Sequence, residues 1–122
     1  MSKEFDFIKD CGYFYVLTIN KDFPAGRPFG AMMEDNNKLY ISTNPGNHAH
    51  LELRKNGNIQ IIAKKDGTRK WLRITGKATE CSNIKMKEKM LVECPILSTH
   101  YSSAEDENFL LFQIDIIQSE FH

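Results

Sequence analysis

Residues 68–81, TRKWLRITGKATEC, place the tightest constraint on what this chain can fold into. Leu72, Ile74, Gly76 and Ala78 alternate with Trp71, Arg73, Thr75 and Lys77, the period of a long strand whose two faces differ. The first set is a core face. The second carries one large ring and a column of hydrogen-bonding groups, as a ligand-facing or interface surface would. A strand this long needs neighbours, and the rest of the chain supplies them. Tyr13–Ile19 is rich in β-branched and aromatic residues. A short strand leads to Gly30–Met33, a turn at Glu34–Lys38 uses Asp35, Asn36 and Asn37, and Leu39–Ser42 follows. Ile59–Ala63 meets the long strand through a hairpin with Asp66-Gly67 at its tip. A last strand runs from Phe109, alternating Phe112, Ile114 and Ile116 with polar residues.

Helical signals are fewer. Ser2 can cap a helix over Lys3–Cys11, with Phe5, Ile8 and Cys11 on one face and Gly12 at its end. Ala49–Asn56 reads as one or two turns with Leu51 or Leu53 inward and Gly57 as the stop. Ser82 caps a helix over Asn83–Cys94, closed by Pro95, and Ile96–Asn108 is irregular. The expected fold is mainly β with a few short helices. With few residues to cover both faces of an open sheet, the strands are expected to close into a small antiparallel barrel whose ends the helices plug.

The 122 residues make one domain, 1–122. Sixteen basic and sixteen acidic residues cancel, removing the long-range field a general nucleic-acid binder needs. The local basic group Lys64, Lys65, Arg69 and Lys70 reads as a solvated hairpin. No apolar run approaches the roughly 18 residues of a membrane span, and the start, MSKEFDFIKD, is acidic and amphipathic. No membrane or nucleic-acid partner is expected, and the cytoplasm is the expected location. Cys11, Cys81 and Cys94 are odd in number and widely spaced, arguing against a disulfide framework and a structural zinc site.

Chemistry concentrates in residues 26–56. Arg27 lies between Gly26 and Pro28, which restricts its backbone and lets its guanidinium be aimed at a fixed point. Thr43, Asn44, Gly46, Asn47 and His48 gather in a strand-to-helix turn whose donors can surround a phosphate. An ordinary Asx-turn with a helix cap uses the same residue types. His48 and His50 diverge at a helix start and lack a third ligand, so no metal is expected. No nucleophile stands at a recognisable spacing from a base, and no residue is singled out as catalytic. Neither a GxGxxG nor a P-loop pattern occurs.

Gly26-Arg27-Pro28-Phe29-Gly30, Leu39-Tyr40-Ile41-Ser42-Thr43-Asn44-Pro45-Gly46, Asn56 and Trp71-Leu72-Arg73-Ile74-Thr75-Gly76-Lys77-Ala78 together resemble the FMN-binding split-barrel family related to pyridoxamine 5′-phosphate oxidase. The resemblance implies a six-stranded antiparallel split β-barrel that forms a homodimer, with FMN in clefts at the subunit interface. It implies that Arg27 and the Thr43-Asn44-Pro45-Gly46 turn hold the phosphate, that backbone from Phe29 to Met32 runs along the flavin ring, and that Trp71 faces the cofactor. The cofactor-binding residues so expected are Arg27, Pro28, Phe29, Gly30, Ser42, Thr43, Asn44, Asn47, His48, His50, Trp71 and Arg73. Many members carry lysine or arginine just after the turn, where this chain has Asn47-His48-Ala49-His50. FMN affinity is therefore expected to be weaker than usual and to fall as pH rises through the His48 titration. The chain stops at Glu120-Phe121-His122, short of the family oxidase's C-terminal substrate segment, so vitamin B6 oxidation is not expected. The expected function is an FMN oxidoreductase passing electrons from a reduced nicotinamide donor to a small-molecule acceptor. The alternatives are a non-enzymatic flavin- or haem-binding protein for storage or sensing, and an interaction domain with an empty cradle.

Overall fold

A computed structural model describes residues 2–122. Helix α1 (Lys3–Cys11) precedes strands β1 (Phe14–Asn20), β2 (Phe23–Phe29), β3 (Met32–Asp35) and β4 (Lys38–Thr43). Helix α2 (Ala49–Lys55), strands β5 (Asn58–Lys64) and β6 (Trp71–Cys81), helix α3 (Ile84–Glu93), a 3₁₀ turn (Pro95–Thr99) and strand β7 (Leu110–Phe121) complete the order. The seven strands form one antiparallel sheet in the order β2-β1-β5-β6-β7-β4-β3.

Two expectations are corrected. Among the described residues there are seven strands rather than six, because the short strand expected to lead to Gly30–Met33 breaks at Gly30–Ala31 into β2, which pairs with β1, and β3, which pairs with β4. The barrel is also not closed: β2 and β3 are the two edges, joined through Gly30–Ala31 by covalent chain, with no ladder between them among the described residues. Pro24 and Pro28 mark β2 as an edge, since proline cannot donate to a second neighbour. The turn before β2 is tight, Lys21 adopting φ 59° so that the strand begins at Phe23.

Alternation fixes the two faces. Leu72, Ile74, Gly76 and Ala78 of β6 are buried, as are Val16 of β1, Ile61 of β5 and Ile114 of β7. With Phe5 and Ile8 of α1 and Leu53 of α2, these apolar residues form the main core, whereas Leu51 points outward. A second cluster, Met33, Tyr40, Met90, Leu97, Tyr101, Phe109 and Leu111, seats α3 and the 3₁₀ turn. Gly57 does not stop α2 through a left-handed backbone. It is required instead by close approach, since a Cβ there would lie 2.6 Å from the Ala78 carbonyl oxygen. The α3 cap is Asn83, one residue beyond the expected Ser82, its side chain accepting from Lys85 N and Met86 N at 2.9 and 3.3 Å. Among the described residues no helix is long and apolar enough to cross a membrane.

Candidate functional site

Pairing of Val16 with Arg27 in the β1–β2 ladder sends the Arg27 side chain to the inner face, toward α2. There its Nη2 donates to Glu52 Oε1 at 2.6 Å and its Nη1 to Thr18 Oγ1 at 2.7 Å. The Thr18 hydroxyl in turn donates to Glu52 Oε1 at 2.5 Å, closing a three-residue network. The pair is largely withdrawn from water, with side-chain exposures of 20% for Arg27 and 12% for Glu52. Burial is the largest single influence on Glu52 and pulls its carboxyl upward. The hydrogen bonds from Thr18 and Arg27, with the charges of Arg27 and His48, outweigh it and hold the group below the usual carboxylate range.

The turn after β4 satisfies many of its own donors. Gly46 N donates to Asn44 Oδ1 (2.7 Å), Asn47 N to Asn44 O (3.2 Å) and Ala49 N to Asn47 Oδ1 (3.1 Å). Buried His50 donates from Nδ1 to Asn47 O at 3.0 Å, while His48 stays exposed, so the two rings diverge. Thr43 is buried and Ser42 half-buried opposite Leu111 of β7. Asn44, Pro45 and Gly46 line a polar hollow of about 370 Å³ with His100, Tyr101 and Asn108. Pro28 and Gly30 are exposed, and the half-buried Phe29 ring tilts against Phe14 at 6.1 Å.

Trp71 and Arg73 lie elsewhere. The register Tyr15–Ile62–Arg73 places them on the outer face, opposite to Arg27. Trp71 stacks on His122 with centroids 4.3 Å apart and planes at 14°. Arg73 donates to both Glu120 carboxylate oxygens at 3.1 and 3.4 Å and sits over the Trp71 ring at 5.1 Å. Of the expected residues, Arg27 thus stands on the opposite face of the sheet from Trp71 and Arg73.

Sequence reasoning missed an apolar cavity of about 370 Å³ lined by Leu17, Thr18, Ile19, Gln60, Thr75 and Ile117, among others. Leu17, Gln60 and Thr75 share the outer face through the β1–β5 and β5–β6 registers, and Gln60 Nε2 donates to Thr75 Oγ1 at 3.1 Å. A bulge completes the wall: Thr75 pairs with Gln118 and Gly76 with Ile116, leaving Ile117 as the extra residue. The alternation of β1 signals its outer face, but nothing local signals the bulge. Thr18 both lines this cavity and bonds Arg27, so the two features adjoin.

An antiparallel sheet wrapped around one core, split between its edge strands and flanked by short helices, is the architecture of a split barrel. Consistent with that class, the profile of the family described as pyridoxamine 5′-phosphate oxidase matches residues 2–122, and the chain belongs to this family. A NimC/NimA family protein from Clostridium acetobutylicum is 29% identical, with a TM-score of 0.85 over 98% of this chain and 89% of its own. A pyridoxamine 5′-phosphate oxidase-related, FMN-binding protein from Nostoc punctiforme shares the fold at 18% identity, with a TM-score of 0.69 over 91% of this chain and 74% of its own. A FAD-binding protein from Mesorhizobium loti does so at 17% identity, with a TM-score of 0.68 over 99% of this chain and 94% of its own. Among curated proteins, none matches this chain.

Proposed function

We propose that this chain is a flavin-binding oxidoreductase that works as a homodimer, takes FMN, and passes electrons from a reduced nicotinamide to a small acceptor. The observation that carries the reading is the placement of Arg27 and of Trp71 with Arg73 on opposite faces of the sheet. In a homodimer one copy can supply Arg27 and the second Trp71 to the same ligand. Family membership supports a flavin, as do the FMN-binding and FAD-binding neighbours.

The two ends of the site fit a flavin unequally. The outer-face cavity, mostly apolar with Gln60, Thr75 and Thr18 as its polar groups, suits a planar ring that needs a few hydrogen bonds. Arg27 at the phosphate end already holds a carboxylate. When bound, a flavin supplies hydride and electron transfer, chemistry that no side chain here performs. The protein's part is orientation and exclusion of water: Trp71 borders the ring, and Glu120 fixes Arg73 beside it.

The test is the visible absorption spectrum of the purified protein with and without added FMN, followed by NADH or NADPH under anaerobic conditions. A bound-flavin spectrum that bleaches with nicotinamide supports the reading. A Soret band, or no binding at about millimolar FMN, overturns it.

A further inference from the structure

We propose that Glu52 is the specificity-determining residue of this site, its carboxylate standing where a ligand's phosphate would bind and so removing the preference for a phosphorylated flavin over riboflavin. The inference rests on the flavin reading above. Arg27 is the one expected phosphate ligand with a permanent charge on the inner face, and Glu52 already takes its Nη2 at 2.6 Å. One N–H of its Nη1 goes to Thr18, whose own proton goes to the same Glu52 oxygen. In the adjoining turn Gly46, Asn47 and Ala49 each donate their backbone N–H within the turn, so these three are not free for a phosphate.

The charges around the pair do not reverse this. His48, Lys21 and Lys55 line a hollow of about 220 Å³ with Glu52, and all three are exposed side chains in high-dielectric surroundings. A phosphomonoester dianion entering here meets a neutralised arginine and an ionised carboxylate at the same point. Like charges disfavour it, and binding requires breaking a partly buried ion pair. The terminal hydroxyl of riboflavin's ribityl chain behaves oppositely. It donates a hydrogen bond, and a carboxylate accepts one.

The experiment is a fluorescence-quenching titration of the full chain with riboflavin and with FMN, in the wild type, Glu52→Gln and Glu52→Ala. The quantity of interest is the ratio of the riboflavin Kd to the FMN Kd. The wild-type ratio is expected within about threefold of one, and both variants are expected to raise it about tenfold or more, by tightening FMN as release of a charge-assisted Arg27–phosphate contact predicts and by weakening riboflavin as its hydroxyl loses the carboxylate acceptor. A wild-type preference for FMN of about a hundredfold, or variants that leave the ratio unchanged, would overturn the assignment. The wild-type ratio decides even if the variants misfold. Binding of both flavins with an unresponsive ratio sinks the role of Glu52 and leaves the flavin reading intact, whereas binding of neither flavin removes both.

Discussion

Thr18, Arg27 and Glu52 come from three elements, and their meeting makes each depend on the other two. Thr18→Val deletes the hydroxyl that bridges the pair and leaves a partly buried carboxylate short of a donor, so a loss of about 1–2 kcal/mol in urea denaturation is expected. Glu52 also gives stability a pH signature. Its folded pKa lies below the unfolded value, so its contribution is present above about pH 4.3 and is lost as pH falls through the depressed value. The melting temperature of the wild type should therefore fall more steeply than that of Glu52→Gln on acidification below about pH 5. Gly76 makes a different demand. A Cβ there would stand 2.6 Å from Asp115 O and 3.1 Å from Ile114 Cγ2, so Gly76→Ala should cost about 1–3 kcal/mol by thermal or chemical melt. The sequence shows Gly-Arg-Pro and a turn full of donors, but not that a glutamate 25 residues on from Arg27 shares its guanidinium. Contacts between distant side chains leave no periodicity to read.

At the level of elements, most of the chain was legible because burial imposes its period directly. The alternation of residues 71–78 gave both faces of β6, and Phe5, Ile8 and Cys11 gave the buried side of α1. Boundaries read less well, because neighbouring residues compete for the same cap. Asn83, not Ser82, accepts the free N–H groups of α3. Asn83→Ala is thus expected to cost about 1 kcal/mol, and Ser82→Ala within about 0.5 kcal/mol of nothing, in paired denaturation curves. The break at Gly30–Ala31 was missed for a related reason. Residues on both sides are extended, and only the choice of ladder partner separates β2 from β3.

For the whole molecule, the exposed residue Ile117 lines a cavity that a second copy would cover under the proposed assembly. Sedimentation equilibrium should give twice the 14.1 kDa chain mass, and Ile117→Lys should shift the mass toward the single chain and weaken FMN binding together. Retained mass with unchanged binding would show that this face is not the interface. The sequence signalled the antiparallel character of the sheet but not its order, in which β7 lies between β6 and β4. That order has a consequence for synthesis. While residues 110–121 are still inside the ribosome, β6 and β4 each lack one of their two neighbours, the strand that lies between them, and the β3–β4 hairpin has no ladder to the rest of the sheet. A nascent chain of this kind completes its sheet only after β7 emerges, by pairing across long sequence separations, which is slow and leaves open strand edges for a chaperone to guard.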